Sequence, residues 1–264
     1  MSQEEKLKNI LRPLEKVVVA FSGGVDSSYL LHTAKETLGE KNVVAVIAES
    51  PTYPSKEVED AIKIADQIGI VPKIINTDEF LDENFVSNPK ERCYYCKKEL
   101  FAKLSEMAKE AGIKYVLDGS NVDDLSDIRP GSQAKKEFGV RSPLQEAGLT
   151  KKEIREFSKA AGLPNWDKPA MACLASRIPY GIRISEDILK IIGEGEEYLR
   201  SLGFKQNRVR HHAPIARIEV DKEDLPLIME KELMDKIVKK FEKLGYNYVT
   251  LDLKGYQMGS MNLE

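Results

Sequence analysis

With 264 residues, 31% of them charged and 42% hydrophobic, the chain is long enough for one large domain with a smaller appendage. A formal net charge of −3 removes any general attraction to nucleic acid, and three cysteines, an odd number, do not make a disulfide framework. The polar start Met-Ser-Gln-Glu-Glu-Lys and the lack of any apolar run near ~18 residues lead to the expectation of a cytoplasmic protein without a membrane partner.

Taken in order, residues 3–13 read as a short amphipathic helix ending before Leu11-Arg12-Pro13. Val17-Val18-Val19-Ala20 is a β-branched run suited to a strand buried on both faces, and Tyr29 to Lys35 reads as a helix. Residues 42–48 form a second buried strand. Ser55 is the expected cap of a helix that runs to Ile68 and stops at Gly69. Residues 72–77 are a third strand, and a linker with Asn88-Pro89 leads into a helix carrying Cys93 and Cys96 near its start. Tyr115 to Asp118 is the fourth strand, and Thr150-Lys151-Lys152-Glu153 is a capping box opening a helix to Ala161. Strands alternating with helices predict an α/β fold with a doubly wound parallel sheet, over residues 1–182. Residues 183–264 read as a small α+β domain. It comprises a helix from Ser185 to about Gly203, a stretch Arg208 to Val220 whose last part, Ala216, Ile218 and Val220 alternating with Arg217 and Glu219, is a strand with one wet face, a helix from about Lys222 to Leu244, and a last strand over 246–253.

Between the first strand and its helix lies Phe21-Ser22-Gly23-Gly24-Val25-Asp26-Ser27-Ser28. Two glycines allow a tight turn and close approach to a ligand, and the first-turn N–H groups and the serine hydroxyls make an anion site. The Lys-Ser/Thr of a Walker loop and the G-x-G-x-x-G of a dinucleotide fold are both absent. Asp26 instead sets a carboxylate among the phosphate donors, which is consistent with Mg²⁺ bridging it to a polyphosphate. A second glycine turn, Gly119 to Asp124, follows the fourth strand, so Asp118 or Asp124 is placed to assist. The pattern S-G-G-x-D-S resembles the pyrophosphate (PP) loop of the ATP pyrophosphatase superfamily. That resemblance implies ATP cleavage to AMP and pyrophosphate to activate a carboxyl oxygen.

Cys93 and Cys96 form a C-x-x-C pair, and Cys173 stands alone. Three thiolates leave one iron of a [4Fe–4S] cluster without a protein ligand, open to sulfide or substrate. Structural zinc would want a fourth ligand, for which only His211 and His212 offer themselves. A redox or persulfide relay and unrelated buried cysteines are the remaining readings. Arg208 and Arg210, two apart on a strand, share one face, and with Arg217 they suit a substrate phosphate. His32 reads as a helix residue without a function.

The set Ser22 to Ser27, Leu117-Asp118-Gly119, Arg129-Pro130-Gly131, Ser176 to Gly181, Arg208-Val209-Arg210, Ala216 to Glu219 and Tyr248 to Leu253 resembles the LarE family of ATP-dependent sulfur transferases. The likeness covers nearly the whole chain. It implies sulfuration of pyridinium-3,5-biscarboxylic acid mononucleotide, the precursor of the nickel-pincer cofactor of lactate racemase. It further implies ATP binding at Ser22, Gly23, Gly24, Asp26, Ser27, Ser28, Ala48, Asp118 and Gly119, and substrate-phosphate contacts at Arg208, Arg210 and Arg217. Glu219 matches a functional acidic position and is a candidate metal ligand. One form of the family sacrifices the sulfur of a single cysteine matching Cys173. The presence of Cys93 and Cys96 resembles instead the form in which three cysteines hold a [4Fe–4S] cluster, with sulfide or a sulfur donor protein recharging it. A homo-oligomer, a hexamer, is implied in the same way. The rivals are a tRNA thiolation enzyme, an amide-forming enzyme of the NAD synthetase kind, and a nucleotide-regulated cluster carrier.

Overall fold

The computed structural model describes residues 2–125, 130–169 and 172–257. They fall into two compact units, Met1–Phe85 with Lys90–Met171, and Val86–Pro89 with Ala172–Glu264. The first unit holds α1 (Gln3–Leu11), β1 (Val17–Ala20), α2 (Val25–Leu38), β2 (Val43–Glu49), α3 (Ser55–Ile68) and β3 (Lys73–Asn76). After the short α4 (Glu83–Val86), at the edge of the unit, come α5 (Arg92–Glu110), β4 (Tyr115–Leu117), α6 (Gly131–Glu137), α7 (Pro143–Glu146) and α8 (Lys151–Ala160).

Its four strands are all parallel in the order β3-β2-β1-β4. Alternation along β1 feeds two cores. Val17 and Val19 pack with residues of α1, α2, α3 and α8, whereas Val18 packs with Phe101, Leu104 and Ala108 of α5. A strand apolar at every position needs helices on both faces, which is why the Val17–Ala20 run specifies a doubly wound sheet. The chain winds outward from β1 to β3, then crosses back to place β4 on the other side of β1. The carboxyl ends of β1 and β4 therefore flank the switch point at which such sheets bind ligands.

Local signals mostly operate as expected. Gly69 closes α3 in the left-handed conformation (φ +79°), its N–H donating to Ala65 and Asp66 carbonyls, and the Thr150–Glu153 capping box is formed. Ser55, however, is the first residue of α3 and not its cap, a position held by Pro54. Proline already has a φ suited to a helix start and leaves no N–H unpaired there.

The second unit contains α9 (Glu186–Ser201), β5 (Asn207–His212), β6 (Ile215–Val220), α10 (Leu225–Ile228), α11 (Lys231–Lys243) and β7 (Tyr248–Leu251). β5 and β6 pair antiparallel, and β7 lies parallel to β6. Ser185 caps α9 through a bond from the Ile188 N–H. The single helix expected over Lys222–Leu244 is divided into a 3₁₀ turn, α10 and α11: Pro226 in the first turn of α10 cannot donate back to residue 222, and the second break falls at Glu230, whose backbone is extended (ψ 130°).

Two further expectations change here. Asn88-Pro89 is not a solvated linker: Asn88 is fully buried at φ +58°, and its amide donates to the carbonyls of Pro179 (2.7 Å) and Ile182 (2.9 Å). Residues 172–182, expected with the first domain, belong to the second unit. The anchor is Arg177, whose guanidinium forks onto Glu196 of α9 at 2.8 and 3.1 Å with both side chains 0% exposed. Removing one partner of such a pair leaves an uncompensated buried charge, so Arg177→Met is expected to lose about 3–5 kcal/mol in urea unfolding. The double variant Arg177→Met/Glu196→Leu should recover most of that loss, and an equal or larger loss in the double variant would contradict this account.

Candidate active site

The site in the first unit is made by backbone coming close to backbone. Gly23 has φ +67°, and a Cβ there would lie 2.7 Å from the Cβ of Ala61 on α3. A Cβ on Gly119, after β4, would lie 2.9 Å from the Ser27 amide nitrogen. Both glycines are required by space and not merely tolerated, and the two turns read from the sequence do face one another. Within the loop, the Ser22 N–H donates to Ser27 Oγ (3.3 Å), the Gly24 N–H to Ser22 Oγ (3.4 Å), and Ser27 Oγ to the Gly24 carbonyl (3.2 Å). No side chain caps α2, so its first-turn N–H groups stay available to an anion.

Asn165 could not have been anticipated from spacing. Its buried amide donates to the Gly23 carbonyl (3.0 Å) and to Ser28 Oγ (2.9 Å), pinning the loop and the fully buried Ser28 from behind. Lys151 was also missed, although it lies inside the recognised capping box. Its ammonium contacts Asp26 Oδ2, while Asp26 Oδ1 is buried and has no hydrogen-bond partner.

Asp118 is a different case. It accepts from Ser142 Oγ (2.6 Å), Ser120 Oγ (2.8 Å) and the Ser120 N–H (3.3 Å), with Lys135 Nζ at 3.4 Å. Such a carboxylate organises the second turn and has little left for a cation. Asp124 accepts from the Asn121 N–H (3.0 Å), and Asp123 from the Lys151 N–H (2.8 Å). Of the carboxylates read as magnesium ligands, Asp26 is the one with an orphaned oxygen in the concavity, and that observation fits a divalent cation. Ala48 lies at the end of β2 beside a cavity of about 360 Å³ lined by Glu49, Ser50, Tyr53, Val58 and Asn76.

All three cysteines are thiols and none forms a disulfide. Cys93 is exposed and Cys96 half-buried in the first turns of α5, at i and i+3 and so on one helix face. Gly131 opens α6 close to this turn of α5: a Cβ there would sit 3.0 Å from Lys97 Cγ and in ordinary contact, 3.5 Å, with the Cys93 carbonyl oxygen; Arg129, in the same motif, lies outside the described residues. In the second unit, half-buried Cys173 starts the 3₁₀ turn Leu174–Arg177. Arg177 Nη1 donates to the Ala172 (2.9 Å) and Cys173 (3.1 Å) carbonyls, so the buried ion pair also shapes the cysteine loop. Among the described residues no three His, Cys, Asp or Glu side chains are gathered as a preformed metal site.

The β6 face expected to be wet is largely withdrawn from solvent, with Glu219 buried and Arg217 half-buried. Arg208 and Arg210 are 3% and 5% exposed and Glu219 0%. Arg210 forks onto Glu219 at 2.8 and 3.0 Å, Arg217 adds a third contact at 3.3 Å, and Arg210 also donates to the Ser176 carbonyl. Glu219 is therefore clamped by two guanidinium groups and serves as their counter-ion. The Arg208 guanidinium lies 5.0 Å from the Tyr256 ring centre. Burial pushes its pKa below the usual arginine range, with repulsion from Arg177 and Arg210 adding to the effect and Glu196 and Tyr256 opposing it. His211, weighed as a zinc ligand, bonds through Nδ1 to the Tyr246 hydroxyl (3.0 Å). His32 pairs with Glu36 on its own helix.

A parallel sheet with a serine-glycine anion loop at its switch point defines a nucleotide-splitting α/β enzyme of the PP-loop class. In keeping with this, residues 4–104 match the NAD synthase family model. The chain is 44% identical to an uncharacterized protein of Synechocystis sp., over 99% of this chain and 97% of the relative. It is 38% identical to the pyridinium-3,5-bisthiocarboxylic acid mononucleotide synthase of Lactiplantibacillus plantarum, over 96% and 91%. An uncharacterized protein of Methanocaldococcus jannaschii is 34% identical over 96% and 94%. The chain belongs to the LarE family of ATP-dependent sulfur transferases, as its motifs implied.

Two substitutions test the loop architecture. Gly23→Ala meets both the positive φ and the Ala61 contact, and is expected to weaken binding of a non-hydrolysable ATP analogue by at least about tenfold in calorimetry. Asn165→Ala leaves the Gly23 carbonyl and Ser28 hydroxyl buried without their donor and should cost about 1–3 kcal/mol in urea unfolding.

Proposed function

We propose that this enzyme adenylates the carboxylates of pyridinium-3,5-biscarboxylic acid mononucleotide and converts them to thiocarboxylates, for assembly of the nickel-pincer cofactor, in the cytoplasm. The observation that carries this reading is the Ser22–Ser28 concavity with Asp26 inside it, in a chain related end to end to a pyridinium-3,5-bisthiocarboxylic acid mononucleotide synthase.

A carboxylate resists nucleophiles because of its charge and because oxide cannot leave. Attack of that oxygen on the α-phosphate of ATP makes an acyl-adenylate, from which AMP departs. The loop N–H groups, with Ser22 and Ser27, hold the β- and γ-phosphates, and Asn165 keeps the loop rigid while charge moves onto pyrophosphate. Asp26 would hold Mg²⁺, and the cavity beside Ala48 would take the adenine.

For the sulfur, Cys93, Cys96 and Cys173 would hold a [4Fe–4S] cluster, as three thiolates free of disulfides suit. When bound, it would supply sulfur at the oxidation level of sulfide, needing no general base, and a sulfide source or donor protein would renew it. Arg208, Arg210 and Arg217 would provide the positive field for the substrate phosphate, with Glu219 balancing part of it. The working enzyme would be a homo-oligomer.

The reading predicts that pure, cluster-loaded protein releases pyrophosphate from ATP only when the pyridinium mononucleotide is present. Release that ignores the mononucleotide would sink it. Cys93→Ala, Cys96→Ala and Cys173→Ala should each abolish the brown chromophore of the anaerobically reconstituted protein. If only Cys173 proved essential, and lost the mass of hydrogen sulfide on turnover, sulfur would come from that cysteine and not from a cluster.

A further inference from the structure

One buried acid of the first unit has no part in the chemistry described so far. Glu79, in the 3₁₀ turn Glu79–Leu81 after β3, is 1% exposed. Its Oε1 accepts from the Ser50 hydroxyl and, at 3.4 Å, from the Thr52 hydroxyl, while its Oε2 is buried with no hydrogen-bond partner. Ser50 and Thr52 are buried as well.

The direction of each hydroxyl proton follows from this arrangement. A carboxylate oxygen can only accept, so the single proton of Ser50 Oγ is committed to Glu79. In the 2.8 Å contact between the two hydroxyls Thr52 is therefore the donor, and the Thr52 N–H also donates to Ser50 Oγ (3.1 Å). Ser50 is left with nothing to give to a ligand. Yet Ser50 lines the cavity of about 360 Å³ at the end of β2, where Pro51, Tyr53 and Val58 supply surface suited to a flat base. Its neighbours in the wall are a carboxylate, Glu49, which only accepts, and Pro51, which has no N–H. Along Glu49-Ser50-Pro51 the side chains thus offer acceptors and no proton. A base that turns an amino group to this wall is paired; one that turns a carbonyl oxygen to it gives up water and gains no donor.

We propose that Glu79 is a specificity-determining positioning residue: by holding back the Ser50 proton, it makes the β2 wall of the nucleotide cavity select a 6-amino purine over a 6-oxo purine. Glu79 itself touches no substrate and acts through Ser50. This inference rests on the reading of that cavity as the base subsite of the ATP site.

ATP and inosine triphosphate (ITP) differ at this edge of the base. Their affinities in Mg²⁺ are measured by calorimetry on the full chain, without the pyridinium mononucleotide, as wild type, Glu79→Met, Ser50→Ala and the double variant. Wild type is expected to prefer ATP by at least about tenfold, the scale of one unpaired hydrogen-bonding group. Glu79→Met nearly keeps the side-chain volume but removes the acceptor, so the Ser50 proton is free to turn to the cavity. The preference should then fall to about twofold or less, chiefly through tighter binding of ITP. Ser50→Ala has no proton to release and should keep the preference, and the double variant should regain it. A merely structural acid would not give that restoration, because a loosened loop would stay loosened in the double variant. A wild type without preference, or a double variant no more selective than Glu79→Met, would overturn the proposal. Glu79→Gln covers a failure of Glu79→Met to fold. Its amide nitrogen finds acceptors only at Ser50 and Thr52, so the preference should fall about threefold, and an unchanged preference would overturn the proposal equally. If the wild-type protein bound neither nucleotide, the ATP site as read above would itself fail, and this proposal with it.

Discussion

At the carboxyl ends of β1 and β4 three stretches of backbone meet at separations that exclude a Cβ atom. Gly23 lies against Ala61 of α3, and Gly119 lies against the start of α2 at Ser27. This contact sets the position of α2 relative to the sheet, and with it the direction of the uncapped N–H groups and of the Asp26 carboxylate. The seal behind it is polar: Asn165, brought in after α8, bonds the Gly23 carbonyl and Ser28 from the protein side, leaving the opposite side of the loop for a ligand. A rigid cradle of this sort can favour the charge distribution of departing pyrophosphate, because its dipoles need not reorganise as the reaction proceeds.

The second unit addresses a different electrostatic problem. Arg177, Arg208, Arg210 and Arg217 lie in or near its interior, and Glu196 and Glu219 accept from three of them. Breaking such pairs is costly, yet replacing them wholesale with apolar residues would often not be. Their retention is better explained by what they orient. Arg177 holds the carbonyls of Ala172 and Cys173, and Arg210 that of Ser176, so the cysteine loop is tied to the charged hairpin. The buried, unfavourably placed charge of Arg208 adds a positive field to the same region. The motif Ser176-Arg177 thus marks the framework around a sulfur atom as much as any contact with substrate.

Much of the first unit was legible because its signals are short-range. Val17 to Val19 are apolar at every position, which only a strand covered on both faces accommodates, and Gly69 and Thr150–Glu153 end and begin helices through bonds within four or five residues. The second unit was harder to read. Alternating Arg and Glu on β6 reads as a wet face, and only the third dimension shows that Arg210 neutralises Glu219 and lets both be buried. The helix expected from Lys222 is divided at Pro226 and again at Glu230, and Pro226 is a local signal that the expectation did not use.

The sequence by itself determined the parallel α/β fold, the Ser22–Ser28 anion loop and the family. Each depends on residues adjacent in the chain, whose spacing dictates backbone conformation and the side that a group faces. Tertiary structure alone decided which carboxylate keeps an orphaned oxygen, which lysine sits on it, and which asparagine pins the loop. Asp26 and Lys151 are separated by 125 residues, and Asn165 and Gly23 by 142. No periodicity or motif reports a pairing over such distances, because it arises only when the packing of α8 on α2 brings the two ends together.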